Sequence, residues 1–376
     1  MKSFFQFLGR AYKYFRGTKR VWRKPPRADL LIIDRGTASP LDEMFAHHNP
    51  HIMDIRGESV NMLALLRAVP KIHLGAVAYL EAYIDFVNPK LILSRTDNNP
   101  TLWQLKRRPN STYKVALIQN GWRFEYADSV PHASIQKKYQ VDSFFTFGDA
   151  TTKILCSRLE GKFIEAGSIK ANVFQKIKKF KSDAPVVFVS TFRASKHKNY
   201  LQGTVFFEHL ENICEKYKKK ILIVGCERSD SGSQTEKIFY SGLFSSNNWN
   251  MVSRVSETSS YEFISSANCV IVESSSLGYE SLAMGLRTGF VAIRDRNRAT
   301  DRFGLPLEFG EKGPFWTNDP SEEEIGRILD YLLTVSDEQW ERDSGWIRDQ
   351  LMVHDYGNTK IRAYVEGVLT GSLKSN

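Results

Sequence analysis

The stretch CVIVESSSLGYESLAMG, residues 269–285, decides how this chain folds. Its first four residues are apolar without a break, the pattern of a strand buried on both faces. Glu273, Ser274, Ser275 and Ser276 then make a polar turn, and a helix is expected over 279–284. Strand, polar turn and helix form the repeating unit of a parallel α/β sheet. A helix start of this kind offers unpaired backbone N–H groups and the positive end of the helix dipole, which suits an anion. The three serines add hydroxyl donors, Gly278 leaves room for close backbone approach, and Tyr279 shares the turn. Glu280, one turn into the helix, offers a carboxylate to ribose hydroxyls. The plainer reading is a capped helix, with a serine as N-cap and Glu280 completing a capping box.

Outward from this stretch the unit recurs. In the second half, apolar runs at 186–189 and 221–224 end in Ser190-Thr191-Phe192-Arg193 and Gly225-Cys226-Glu227-Arg228. Helices are expected over 200–217 and 257–266, and a last strand over 289–293. The first half reads alike, with strands at 29–34, 52–55, 91–93, 115–118, 143–147 and 163–166 and helices at 58–69, 76–87 and 151–159. The fold class is therefore α/β, with two Rossmann-like parallel-sheet domains, a cleft between them and a helical C-terminus. The expected divisions are a basic aromatic arm (1–27), a first domain (28–175), a charged linker KIKKFKSD (176–183), a second domain (184–320) and C-terminal helices (321–376). Those last helices are expected to pack back on the first domain, with Trp340, Trp346 and Tyr364 as anchors.

Ligands of such sheets lie beyond the carboxyl ends of the strands, so the polar loops there carry the candidate chemistry. Asp97, in the loop 94–100, is the first choice for a general base, with Asp54 and Glu58 as rivals on a neighbouring strand end. Asp97 also suits a turn cap before Pro100. Asn98, Asn99, Gln119, Asn120 and Arg123 are candidates for ligand contact, since amides suit sugar hydroxyls and arginine suits a carboxylate or phosphate. Ser190, Thr191 and Arg193 are candidates for a phosphate, and Glu227 for a base or ribose. Each of these also fits an ordinary strand-end loop.

The chain has 376 residues, 42% hydrophobic and 25% charged, enough for two cores. Of the net charge of +10, nine cations and no acid fall within residues 1–28. Aromatic residues interleave with those cations, a composition that suits an anionic membrane surface. Charge confined to one end argues against nucleic acid, which is recognised by a basic folded body. No apolar run approaches the roughly 20 residues of a membrane-spanning helix, and the N-terminus lacks the plan of a secretory signal. The expected location is the cytoplasmic face of the inner membrane. Cys156, Cys214, Cys226 and Cys269 form no C-x-x-C pair and read as buried hydrophobes in a reducing compartment. His47, His48 and His51 share a polar turn that reads as a loop, and no metal centre or cofactor is expected. The mixed charges of 294–302 read as a solvated loop at the edge of the cleft.

Four short stretches, taken in order, resemble one family: DIRGES at 54–59, RTDNNP at 95–100, IQNGWR at 118–123 and ESSSLGYESLAMG at 273–285. They are similar to the bacterial surface-carbohydrate transferases of GT-B fold that build capsule and O-antigen, including capsule Kdo transferases and CDP-glycerol polymerases. The resemblance covers most of residues 28–300. It implies a nucleotide-sugar donor, CMP-Kdo first, on the second domain and a growing glycan or lipid-linked acceptor on the first. An inverting, metal-independent transfer follows partly from it. The alternatives are a CDP-glycerol-type polyol-phosphate transferase and a sugar-nucleotide epimerase. The first is weakened because the second domain offers only His197 and His209, and the second by the membrane-seeking arm. A non-catalytic nucleotide-binding scaffold is the fourth reading.

Overall fold

The computed structural model describes residues 17–105, 111–123, 139–157, 159–177, 182–192, 204–227, 229–293, 305 and 307–372. Its first half holds strands β1 (Lys19–Val21), β2 (Leu30–Ile33), β3 (His51–Met53), β4 (Ser59–Asn61), β5 (Leu91–Ser94), β6 (Lys114–Ile118), β7 (Tyr139–Thr146) and β8 (Leu159–Glu165). Helices α1 (Met62–Ala68), α2 (Ala76–Val87) and α3 (Asp149–Cys156) accompany them. Six strands form a parallel sheet in the order β3-β2-β5-β6-β7-β8.

The sequence of β2 explains the layering. Leu30 and Ile32 point into one apolar cluster, Leu31 and Ile33 into another, and all four are fully buried. Alternate side chains of a strand face opposite sides, so an unbroken apolar run requires cover on both. One cover is α2, through Leu80, Ile84 and Val87. Full burial of each such side chain stabilises by about 1.5–3 kcal/mol relative to exposure.

The second half holds β9 (Val186–Val189), α4 (Thr204–Lys216), β10 (Ile221–Val224), α5 (Asp230–Ser241), β11 (Trp249–Val252), α6 (Ser259–Ser265), β12 (Cys269–Val272), α7 (Ser276–Ala283) and β13 (Thr288–Val291). Two short strands, β14 (Lys312–Gly313) and β15 (Trp316–Thr317), complete a sheet ordered β11-β10-β9-β12-β13-β15-β14. Only the β14–β15 pair in it is antiparallel. Helix α5 and strand β11 depart from the sequence reading, which left both as loop. The segment DSGSQTEKIFYS is weakly helical by composition, but Ser229 caps it and the buried Glu236 and Tyr240 anchor it. WNMV is a half-buried edge strand without an unbroken apolar run.

Two further expectations need correction. Residues 59–61 are strand rather than helix, and α1 begins only after Asn61, whose side chain accepts from the Ala64 N–H. The partner of that strand is β1, paired in parallel, so residues 19–21 of the basic arm are bound to the body. Residues 1–16 lie outside the described residues. No helix among the described residues is long and apolar enough to cross a membrane.

Three helices end the chain: α8 (Glu322–Thr334), α9 (Asp337–Leu351) and α10 (Thr359–Thr370). Ile325, Ile328, Trp340 and Ile347 join the core of the second sheet. Ile361, Val365 and Leu369 of α10 instead cover the Leu30–Ile32 face of the first. Trp346 is no anchor; it is 56% exposed, with Phe309 beside it. The chain thus crosses between the sheets twice, and the two crossings touch. Asn172 Nδ2 donates to Asn358 Oδ1 (2.9 Å), and Asn358 Nδ2 donates to the Ile169 carbonyl (2.9 Å). Gly167, at φ +69°, is required there, because a Cβ would lie 2.1 Å from the Val353 carbonyl.

Candidate functional site between the two sheets

In the second sheet β9 and β12 are neighbours although the chain runs outward from them in opposite directions. A crevice opens at the carboxyl ends of two such strands. Ser190 and Thr191 follow β9, and Glu273 and Ser274 follow β12. Thr191 Oγ1 donates to Glu273 Oε2 across the gap (3.1 Å). Ser275 is the N-cap of α7 and accepts from the Leu277 N–H, while Ser274 and Ser276 remain half-buried at the helix start.

Several predicted residues are used differently from the reading above. Gly278 is needed for helix–strand packing, since a Cβ would lie 2.4 Å from Val272 Cγ2 and 3.0 Å from Phe290. Glu280 is not the capping-box acid: the third helical position is Gly278, and the carboxyl group of Glu280 points inward. It accepts from Ser168 Oγ, and burial pushes its pKa up against hydrogen bonds from Ser168 and Tyr261. Ser190 also turns inward, donating to Glu236 and sharing a 2.8 Å contact with Tyr240 Oη. Glu236 in turn accepts from the N–H groups of Cys226 and Glu227, both at 3.0 Å. One buried carboxylate therefore ties the β9 and β10 loops together. Sequence reading missed it because it lies on the unanticipated α5. Arg193 lies outside the described residues.

The first sheet brings the β6 loop to α7. The Trp122 N–H donates to Ser276 Oγ (2.9 Å), and the Trp122 ring stacks on Tyr279 at 3.9 Å and 6°. Arg123 clamps Asp97 through two hydrogen bonds, Nε to Oδ2 at 3.0 Å and a shorter one to Oδ1. Both side chains are nearly excluded from water. Asp97 is therefore not the open carboxylate expected of a general base; it is buried against a bidentate guanidinium. The cap of the turn is Asn99, which accepts from the Thr101 N–H. Gln119 braces the loop, donating to Gly121 and accepting from Phe147. Asn98 and Asn120 are exposed. Asp54 accepts from Arg35 and Ser59, whereas the exposed Glu58 accepts from the Arg56 N–H.

Two charged residues were overlooked. Asp34 follows β2 at the switch point of the first sheet, fully buried, with φ 83°. Burial alone would raise its pKa, but hydrogen bonds from Arg56 and Thr96, with the charge of Arg56, hold it below the ordinary value. Arg95 follows β5, 3% exposed. It donates to the Ser39 carbonyl and to Asn120 Oδ1 (2.6 Å), and its buried Nε has no hydrogen-bond partner. Burial lowers its pKa, opposed by Tyr261, Glu257, Glu280 and Asp97. The signal for Arg95 was its place directly after a buried strand end. The result is a buried cation of the first sheet within electrostatic range of α6 and α7 of the second.

The histidines divide. His51 Nε2 lies 2.8 Å from Tyr83 Oη, whereas His47 and His48 converge on Glu366. His209 pairs with Glu322 at 3.1 Å, and residue 197 lies outside the described residues.

Comparison with known proteins places this arrangement. No curated protein matches the sequence. Solved structures match over nearly the whole chain. UDP-GlcNAc 2-epimerase from Methanocaldococcus jannaschii is 13% identical with a TM-score of 0.53, covering 90% of this chain and 99% of the other. The wall teichoic acid polymerase TagF is 11% identical with a TM-score of 0.54, covering 93% and 91%. UDP-GlcNAc 2-epimerase from Neisseria meningitidis, bound to UDP-GlcNAc, is 11% identical with a TM-score of 0.53, covering 94% and 100%. These likenesses establish the two-domain GT-B architecture. The family described as "putative O-antigen biosynthesis protein" matches residues 116–368, or 253 of the 376. The chain belongs to that O-antigen biosynthesis family, a surface-carbohydrate family, on a GT-B fold.

Proposed function

We propose that this chain is a glycosyltransferase of surface-polysaccharide assembly, moving a sugar from a nucleotide-sugar donor to a growing or lipid-linked glycan. The observation that carries this reading is the second-sheet crevice: Thr191, Ser274, Ser276 and the start of α7 meet at the switch point, within reach of the β6 loop of the first sheet. The leaving phosphate takes the helix start and its hydroxyls, neutralised by fixed donors rather than a metal. Arg95 supplies positive charge for the phosphate or for the carboxylate of an acidic sugar, which makes CMP-Kdo the first donor to test. In the transfer, the acceptor oxygen bonds to the anomeric carbon, the bond to phosphate breaks with inversion, and the hydroxyl proton passes to a carboxylate. Asp97 being buried against Arg123, that base is drawn from the more accessible Asp54 and Glu58. Residues 1–27, with Trp22 61% exposed, carry the chain to an anionic membrane surface at the cytoplasmic face.

The structural likeness to TagF and to the 2-epimerases supports a second reading, a CDP-glycerol-type transferase or an epimerase. A thermal-shift panel of CMP, CDP, UDP and GDP separates them. A ligand binding only the folded state at saturation adds roughly 2–4 kcal/mol. Stabilisation by CMP, lost in Ser274→Ala, supports the acidic-sugar transfer. A CDP or UDP response moves the reading to the alternatives, and no response to any nucleotide overturns all three.

A further inference from the structure

His47 and His48 belong to one 3-10 turn, Ala46–His48, closed by Asn49 in the left-handed region (φ 48°, ψ 57°). Glu366 lies on α10, 319 residues after His47. Its Oε1 is 3.0 Å from His47 Nε2 and 2.8 Å from His48 Nε2. The imidazole rings are tilted by 42° with centroids 4.1 Å apart. All three ligand atoms lie within 4.8 Å of one another. Apolar packing sets this meeting, not the polar groups themselves. Phe45, beside the turn, shares a buried cluster with Ile361, Val365 and Leu369 of α10, and Arg362 donates to the Met44 carbonyl (3.2 Å).

We infer that His47, His48 and Glu366 bind a divalent metal ion of zinc type through the two Nε2 atoms and the carboxylate, leaving the remaining coordination to water. Two imidazoles and one carboxylate are a donor set suited to zinc, and solvent has access to all three side chains. An ion about 2.0–2.1 Å from each donor needs the donors roughly 3.3–3.5 Å apart. The two Nε2–Oε1 separations, 3.0 and 2.8 Å, lengthen to that by rotation of side chains that are 21–58% exposed. Binding requires an Nε2 lone pair on each ring, so each Nε2 proton shifts to Nδ1 or leaves to solvent, and affinity falls as the imidazoles protonate. Such an ion clips α10 to the turn before β3. His51 stays outside, held by Tyr83. The competing arrangement is a carboxylate that accepts hydrogen bonds from two imidazoles and binds no ion.

The test uses the full chain without a histidine tag, stripped with a chelator and titrated with zinc chloride against a chromogenic indicator at neutral pH. One equivalent of zinc binds with micromolar or tighter affinity and raises the unfolding temperature. His48→Ala and Glu366→Gln each weaken binding about tenfold or more and abolish that rise. His51→Ala binds zinc as the wild type does, so loss in the other variants is not a general effect of removing a histidine from the turn. Unfolding of each variant in chelator near the wild-type temperature separates lost binding from lost fold. Absence of saturable zinc binding, or binding equally tight in His48→Ala and Glu366→Gln, overturns the inference.

Discussion

At the carboxyl end of the first sheet formal charges meet formal charges: Asp34 with Arg56, and Asp97 with Arg123. At the carboxyl end of the second, the half-buried parts are hydroxyls and the N–H groups of a helix start, and the buried carboxylates Glu236, Glu273 and Glu280 behind them each accept from a hydroxyl or an N–H group. Buried ion pairs fix a loop in one geometry, because breaking one leaves an uncompensated charge out of water. Hydroxyls and helix-start N–H groups are weakly committed and can exchange partners with a ligand. The first sheet thus offers a stiff rim, and the second a surface prepared for an anion.

The sharpest way to break this contrast is Arg123→Ala. Leaving Asp97 buried without its partner should cost about 3–5 kcal/mol, read by urea unfolding. A loss below about 1 kcal/mol would mean that the pair is solvated and the rim is not stiff. Glu236→Ala comes next. Three loop donors lose a charged acceptor, and a loss of about 2–3 kcal/mol is expected, together with a weaker nucleotide-induced shift.

Asp34→Asn tests the first rim through pH. The folded pKa of Asp34 is lowered, so the unfolded chain takes up the proton first as pH falls. The stabilisation is complete above the unfolded value of about 3.9 and is lost as pH drops through the folded one. Wild type and Asp34→Asn should therefore differ by about 1–3 kcal/mol at neutral pH and converge below about pH 4. A gap that persists in acid would assign the effect to packing. The smallest effect belongs to the second sheet. Ser275→Ala removes the N-cap of α7 and should cost about 1 kcal/mol.

Much of the fold was legible because both sheets are built from short unbroken apolar runs, and such runs have few other uses. The strands at 186–189, 221–224 and 269–272 fall where the pattern places them. One element that failed, α5, has a polar sequence whose helical state rests on Glu236 and Tyr240 meeting the residues that follow β9 and β10. No local periodicity reports such contacts. The candidate site was legible as a set of loops but not as a set of orientations. Ser190, Gly278 and Glu280 lie beyond the right strand ends, yet they serve the interior. Asp97 and Arg123 were both noticed, but their pairing joins two strand ends 26 residues apart, which spacing alone does not reveal. Arg95 and Asp34 were passed over because single charged residues beside a strand are common, and only burial marks these two.

The paired crossings at Asn172 and Asn358 have a consequence for what a protease would find. Ordinarily a cut in the linker of a two-domain protein frees two fragments. Here a nick within 176–183 would leave the amino-terminal fragment without α10, which covers one face of its sheet. That helix is covalently part of the other fragment. The pieces should therefore co-elute as one nicked particle and part only when denatured.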